Sequence, residues 1–308
     1  MPKKLYKYRA FNVWTLRSIT EAEVRYSQPG SFNDPLDCNP TIEVDLRRAA
    51  LEKLYYHLLL RRMENDKAAE SVSHLRFLSS EYGDYATDPQ VEAYLVHMLA
   101  RGIEDEVNAE LGMSGVLSLS ATWSSALMWS HYAEEHRGIC IEYDTTEQVH
   151  PQLMSVSYRA PRSIKTSELW RWKMLDEIDA KRRILQTYFY SKSGEWKYEK
   201  EWRDLRDDGG TCEVPFRITA IHFGMRCDRS IIVNIVKLLS DRPDIKLYQV
   251  CPKRDTFRLS RSLIDRGEIA AVGIREPGFI MFKDVVLDEV NFAPDEGAVV
   301  DSALPAKN

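Results

Sequence analysis

What the chain lacks narrows the field first. Its 308 residues hold five cysteines, Cys38, Cys140, Cys212, Cys227 and Cys251, with no CxxC pair among them. That spacing suggests neither a zinc knuckle nor a disulfide framework, so each cysteine is expected to be a small buried thiol in a reducing cytoplasm. No uninterrupted apolar run approaches the ~20 residues of a membrane helix. The basic start MPKKLYKYRAF leads into no apolar segment, so a secretory signal is not expected. A positive balance of charge is missing too. A net charge of -5 argues against broad nonspecific nucleic-acid binding and leaves room only for a local basic groove. Absent as well are the GxxxxGK[ST] phosphate loop, a GxGxxG after a strand, the GxSxG elbow and HExxH. Kinases, ordinary dehydrogenases, serine hydrolases and zinc proteases of those types lose their signatures.

What is present describes an ordinary globular chain, 44% hydrophobic and 29% charged. Leu5–Arg9 alternates as a strand, Val13–Ile19 reads as a short helix and Glu23–Ser27 as a second strand. Three prolines and a glycine make Gln28–Pro40 an irregular, rigid loop. Helical spacing then runs from Val44 to Leu111, broken at Tyr82-Gly83-Asp84 and Asp88-Pro89 into two or three helices. Further on, Ser155–Tyr158 reads as a strand, Ile164–Ser191 as helical, Trp196–Arg203 and Ile218–Phe223 as strands, Ser230–Leu239 as a helix and Ile245–Val250 as a strand. Strands or a helix are expected at Phe257–Ile264, Ile269–Ile274 and Phe279–Val290. The pattern predicts a single α+β domain over 1–300, with a mixed, twisted β-sheet core, a helical insertion across 44–112 and a disordered tail at 301–308.

The densest stretch is Leu117–Tyr143, LSLSATWSSALMWSHYAEEHRGICIEY. Leu117 and Leu119 alternate with Ser118 and Ser120, which places both hydroxyls on one face of a strand. Thr122, Ser124 and Ser125 can cap a helix starting near Ala126, with Leu127, Met128, Tyr132 and Ala133 inward and Gly138 ending it; Ile139–Tyr143 returns as a strand. A packing unit alone would not need Trp129, Ser130, His131 and His136 in so short a span. His131 and His136 are five apart, which does not stack two metal ligands on one helical face, so each is read as bonding a ligand or a backbone carbonyl. The turn Phe32-Asn33-Asp34-Pro35-Leu36-Asp37 is ordinary Asx chemistry, or it presents Asn33 or Asp34 to a ligand. Glu199, Glu201 and Arg203 are expected on one face of a strand, opposite Trp196, Tyr198, Lys200 and Trp202. Such a row is a solvated face, or a cleft in which repulsion separates acid and base roles. The cations between Arg171 and Arg183 read as a solvated helix face, or as a contact to an acidic partner or nucleic acid.

Several of these pieces resemble a bacterial family catalogued as domain of unknown function 2971: LYKYR at Leu5–Arg9, PGSFNDPLD at Pro29–Asp37, LMWSHYAEEHRGICIEYD at Leu127–Asp144 and WKYEKEWR at Trp196–Arg203. That resemblance carries no function. A weaker one does. An Arg ending a first strand, an SxS strand followed by a helix, and an ExE segment are similar to the arginine, serine and glutamate pattern of ADP-ribosyltransferases. The resemblance implies an ADP-ribosyltransferase-like fold and NAD as substrate without a metal. Arg9 would then hold phosphates or ribose, Ser118 or Ser120 would position the nicotinamide ribose, Glu201 would bond the ribose hydroxyl and Glu199 would precede it. Tyr8, Asn33, Trp129, His131 and Tyr132 are expected to complete the cleft. The acceptor is expected to be a macromolecule, protein or nucleic acid, or water, and no membrane is involved. Two other readings stand beside this one. One is a noncatalytic nucleotide- or partner-binding module in bacterial stress or phage defence. The other is a metal-assisted hydrolase or nuclease built on Asp34, Asp37, Glu199 and Glu201.

Overall fold

The computed structural model describes residues 1–81, 83–84, 86–147 and 152–271. It divides into two compact units, Met1–Asp265 and Arg266–Asn308. Of the second, only the helix Arg266–Ala271 is described. The expectations for Phe279–Val290 and 301–308 lie outside the described residues.

The first unit is α+β. In chain order it comprises β1 (Lys4–Arg9), α1 (Val13–Thr20), β2 (Glu23–Tyr26), β3 (Thr41–Glu43), α2 (Arg48–Leu59), α3 (Asn65–Ser80), α4 (Pro89–Leu111), β4 (Gly115–Ser120), α5 (Ala126–Tyr132), β5 (Ile139–Asp144), β6 (Met154–Ser155), β7 (Ser163–Lys165), α6 (Thr166–Leu175), α7 (Ile178–Tyr190), β8 (Glu201–Arg206), β9 (Gly210–Glu213), β10 (Arg217–Phe223), α8 (Arg229–Leu238), β11 (Lys246–Pro252) and β12 (Leu259–Leu263). Eight strands form one mixed sheet in the order β12-β11-β10-β5-β1-β4-β8-β6, parallel at β10–β11 and antiparallel at its other pairs. β2 pairs with β9, and β3 with β7.

Local chemistry explains the boundaries. The Asp88 carboxylate accepts from Gln90 N and Pro89 opens the first turn of α4, whose Val91, Leu95, Leu99, Ile103 and Val107 recur at helical spacing and are buried. They pack with Leu51, Leu54 and Leu58 of α2 and Leu169 and Ile184 of α6 and α7, a helical core built across one edge of the sheet. Burying each such aliphatic side chain is worth roughly 1.5–3 kcal/mol, which is what fixes these helices in place. A second cluster gathers Tyr6, Tyr8, Met128, Trp129, Ala133 and Cys140 under α5.

Three expectations are corrected. Gly138 does not end α5, which stops at Tyr132; Glu134, Glu135 and His136 take left-handed φ values of 49°, 51° and 70° before β5 begins. Gly138 is required because a Cβ there would meet the Arg9 carbonyl oxygen at 2.1 Å, so it marks the close approach of β5 to β1. Leu127, expected inward, is 50% exposed, while Trp129 is fully buried. Trp196–Arg203 is not one strand: Gly194–Glu199 forms a 3-10 turn capped by Ser193, Lys200 sits at φ 46°, and β8 starts only at Glu201. Among the cysteines, Cys38 and Cys140 are buried and the other three partly so.

Candidate functional site

β4 and β8 carry the site between them. Their register sets Ser118 opposite Arg203 and Ser120 opposite Glu201. On the other side of β4, β1 makes a single registered pair, Tyr6 with Ser120, and the Lys7 ammonium reaches across to donate to the Ser118 carbonyl at 2.7 Å. A cavity of about 300 Å³ lies there, walled by Tyr6, Lys7, Tyr8, Asn33, Asp37, Ser118, Ser120, Tyr132, Lys192, Glu199 and Glu201.

Lys200 explains how the two glutamates on either side of it both reach this cavity. In a flat strand its neighbours would share a face by alternation; here a left-handed turn does it, held by Ala121 N donating to the Lys200 carbonyl at 2.9 Å. A non-glycine residue in that region costs of order 1–3 kcal/mol, and such strain clusters at functional sites. The Ser120 hydroxyl secures the same turn by donating to the Glu199 carbonyl at 2.6 Å. Ser120 therefore positions backbone, and its hydroxyl is already used.

Charge is concentrated at the floor. The Lys192 side chain is 6% exposed, and its Nζ lies 2.5 Å from Glu199, 3.0 Å from Glu201 and 3.3 Å from Asp37. The fully buried Arg203 donates to Glu201 at 2.8 and 3.1 Å, to Asp37 Oδ2 at 2.6 Å and to the Phe189 carbonyl at 2.6 Å. These two cations set the carboxylates apart. Burial works against the Glu201 charge, but Arg203, Lys192 and the Ser118 hydroxyl outweigh it and hold that carboxyl well below its ordinary range. Glu199 goes the other way. Burial, reinforced by the Glu201 charge, raises it against the pull of Lys192 and of Tyr132, whose hydroxyl donates to Oε1 at 2.6 Å. Two carboxyls in one cavity thus differ in the sign of their shift, the pattern that separates acid and base roles. Burial lowers Lys7 to about 8, with Arg9 adding to the effect.

The cavity brings together Tyr8, Asn33, Ser118, Ser120, Tyr132, Glu199 and Glu201. Asn33 contributes through Tyr132, donating to its hydroxyl at 3.5 Å. Arg9, Trp129 and His131 are not in its wall. Arg9 extends from the face of β1 opposite Tyr8 and lines a different cavity. Trp129 is core: its indole N–H donates to the Trp123 carbonyl at 2.8 Å and its ring meets Tyr8 edge-on. His131 is exposed among the rings of Tyr132, Trp196 and Tyr198. Asp34 serves its turn, accepting from Leu36 N and from the Trp196 indole. Lys7 and Lys192 complete the site without having been singled out; Asp37 had been read only as a ligand in the metal-assisted alternative and Arg203 only as the neighbour of the two glutamates.

Residues 128–203 match the model of a family described as protein of unknown function (DUF2971), the family that the sequence resembles. The matched segment holds Tyr132, Lys192, Glu199, Glu201 and Arg203, while Lys7, Asn33, Asp37, Ser118 and Ser120 lie before it. Neither a curated protein nor a solved structure matches the chain. No helix among the described residues is long and apolar enough to cross a membrane.

Proposed function

We propose that this cavity cleaves the bond between nicotinamide and ribose in NAD and passes the ADP-ribose to water or to a macromolecular acceptor. The observation that carries the reading is the pair Glu199 and Glu201, shifted in opposite directions beside Ser118 and Ser120 in one cavity. Breaking that glycosidic bond builds positive charge on the ribose, and a carboxylate kept ionised in a dry site stabilises it. Glu201 is that group. Glu199, whose pKa is raised by burial, is the stronger base of the two and in its ionised form takes the proton of the incoming nucleophile. Tyr132 and Lys192 hold Glu199 from two sides and so fix its direction. A volume of about 300 Å³ is at the small end of ligand pockets, so it receives the nicotinamide riboside end and leaves the rest of the dinucleotide outside.

A metal-assisted reading is less well supported, because Asp37, Glu199 and Glu201 already converge on the ammonium of Lys192. The binding-module reading draws on a specific fact: both oxygens of Glu201 are engaged by Arg203 and Lys192. Nicotinamide release from NAD, measured for the wild type and Glu201→Gln with and without chelator, separates the three. Glycosidic cleavage gives release that Glu201→Gln abolishes and chelator leaves alone. Chelator-sensitive turnover belongs to a metal site. NAD binding without release, unchanged in Glu201→Gln, belongs to a binding module.

A further inference from the structure

The site described above does not use a second cavity of about 310 Å³ that meets it across β1, with Lys7 and Ser27 in the walls of both. Its lining includes Lys7, Arg9, Arg17 and Arg25 against a single carboxylate, Glu23, in a chain of net charge -5. Glu23 engages Arg17 at 2.6 Å. Arg25 is exposed and takes no part in an ion pair among the described residues. Arg9 is half-buried; its Nε is enclosed and donates to nothing, and its Nη1 makes only a 3.4 Å bond to the Trp14 carbonyl. An enclosed donor without an acceptor is unfavourable, and an anion in the cavity would remove that penalty.

At the same cavity Trp14 leaves half its surface exposed, with the Arg17 guanidinium 5.4 Å from its ring. Cations that can pair phosphates beside an open indole on which a base can stack are the two elements of single-strand recognition. The other basic stretch, Arg171 to Arg183, is mostly ion-paired. There Arg171, Lys173, Arg182 and Arg183 are taken up by Glu168, Glu177, Asp179 and Glu110, as a solvated helix face requires.

We propose that this cavity binds single-stranded nucleic acid, with a backbone phosphate on Arg9 and Arg25 and a base against Trp14, and that it presents the strand as acceptor to the neighbouring carboxylate cavity. The acceptor role rests on the glycosidic-cleavage reading, while the binding does not. In the transfer, the bond from ribose C1 to the nicotinamide nitrogen breaks and nicotinamide leaves with the electron pair. An oxygen or nitrogen of the strand bonds to C1 and gives its proton to Glu199.

Fluorescence anisotropy of a short labelled oligothymidylate tests the binding. Wild-type protein is expected to bind it more weakly as salt rises, Arg25→Glu to lower affinity by about tenfold or more, and Trp14→Ala by roughly fivefold or more. Both side chains are exposed, so folding is expected to survive; circular dichroism checks this, and Arg25→Lys should restore most of the affinity. The proposal fails if folded wild type does not bind at low salt or if binding ignores both substitutions. It fails equally if polyglutamate, pyrophosphate or ADP-ribose competes as well as unlabelled oligonucleotide, which would make the site a general anion or small-ligand pocket. Oligonucleotide binding without nicotinamide release would remove the catalytic reading and leave this one; release without binding would do the reverse.

Discussion

Two clusters built around buried carboxylates lie at the same eight-stranded sheet, one centred on Glu142 of β5 and the other on Glu201 of β8, and their surroundings differ. Glu142 on β5 is 1% exposed; it accepts from Lys4 at 2.5 Å and Thr219 at 2.8 Å, and faces His222 at 3.5 Å and Arg261 at 3.4 Å. Rings close over it: Trp123 and Tyr248 stack on His222 at 5.5 and 5.1 Å, and Arg261 lies 4.2 Å above Tyr248. Burial opposes its charge, but these partners hold it below the ordinary carboxylate range. Across β1, the group at β8 is unfinished by comparison. Asp37 Oδ1 is buried and has no partner, Glu199 is pushed up, and a cavity runs alongside. Burial of charge alone does not identify a site. A charge whose partners are complete specifies packing, whereas one with an unused acceptor beside open volume is available to a ligand.

The comparison can be broken by substitution. The largest expected effect is Arg203→Met, which leaves Asp37 and Glu201 without their buried guanidinium and should lower stability by about 3–5 kcal/mol in urea denaturation. Next is Glu199→Gln, which should reduce nicotinamide release by about 100-fold or more, while stability at pH 7 moves by less than about 1 kcal/mol, since burial already disfavours that charge. Glu142→Gln should do the opposite, losing roughly 1–3 kcal/mol of stability with turnover kept within about twofold, because it lies outside the cavity wall and meets it at Tyr6, away from Glu199 and Glu201. Its pH dependence has a definite sign. The folded-state carboxyl lies below its unfolded value of 4.5, so the stabilisation is full above that value and lost as pH falls below it; Glu142→Gln should flatten this acid limb. The smallest effect is at Lys7. Lowered to about 8 from 10.5, its ammonium disfavours the fold at neutral pH, so Lys7→Met should gain roughly 1 kcal/mol at pH 7, after allowing for partial exposure, and the gain should shrink as pH rises from about 8 toward 10.5.

Much of the fold was legible because local rules and burial agree. The alternation of LYKYR and the helical spacing of α4 each read directly from residue type. The ExE segment misled because its period-2 pattern also fits a 3-10 turn followed by a strand, and nothing in the sequence marks Lys200 as left-handed. It still yielded Glu199 and Glu201, since the turn delivers them to the same cavity that alternation would have. Trp129 shows the opposite error: an aromatic beside Ser130 and His131 in a short helix drew attention, yet its indole N–H is spent on the Trp123 carbonyl and its ring on the core. Lys192 carried no signal at all. It is one lysine after a helix end, and only the packing of α7 against the Asp37 loop and β8 makes it the hub of three carboxylates. Short β3, β7 and β9 were hidden for a related reason, since three or four residues leave too little alternation to register.

The most direct test sets nicotinamide release by Glu199→Gln against Glu142→Gln in one assay with wild type, alongside thermal melting of all three. The account predicts that wild type and Glu142→Gln release nicotinamide, that Glu142→Gln melts earlier, and that Glu199→Gln is as stable as wild type but nearly silent. Equal activity in the two variants, or no release from folded wild-type protein, would contradict it.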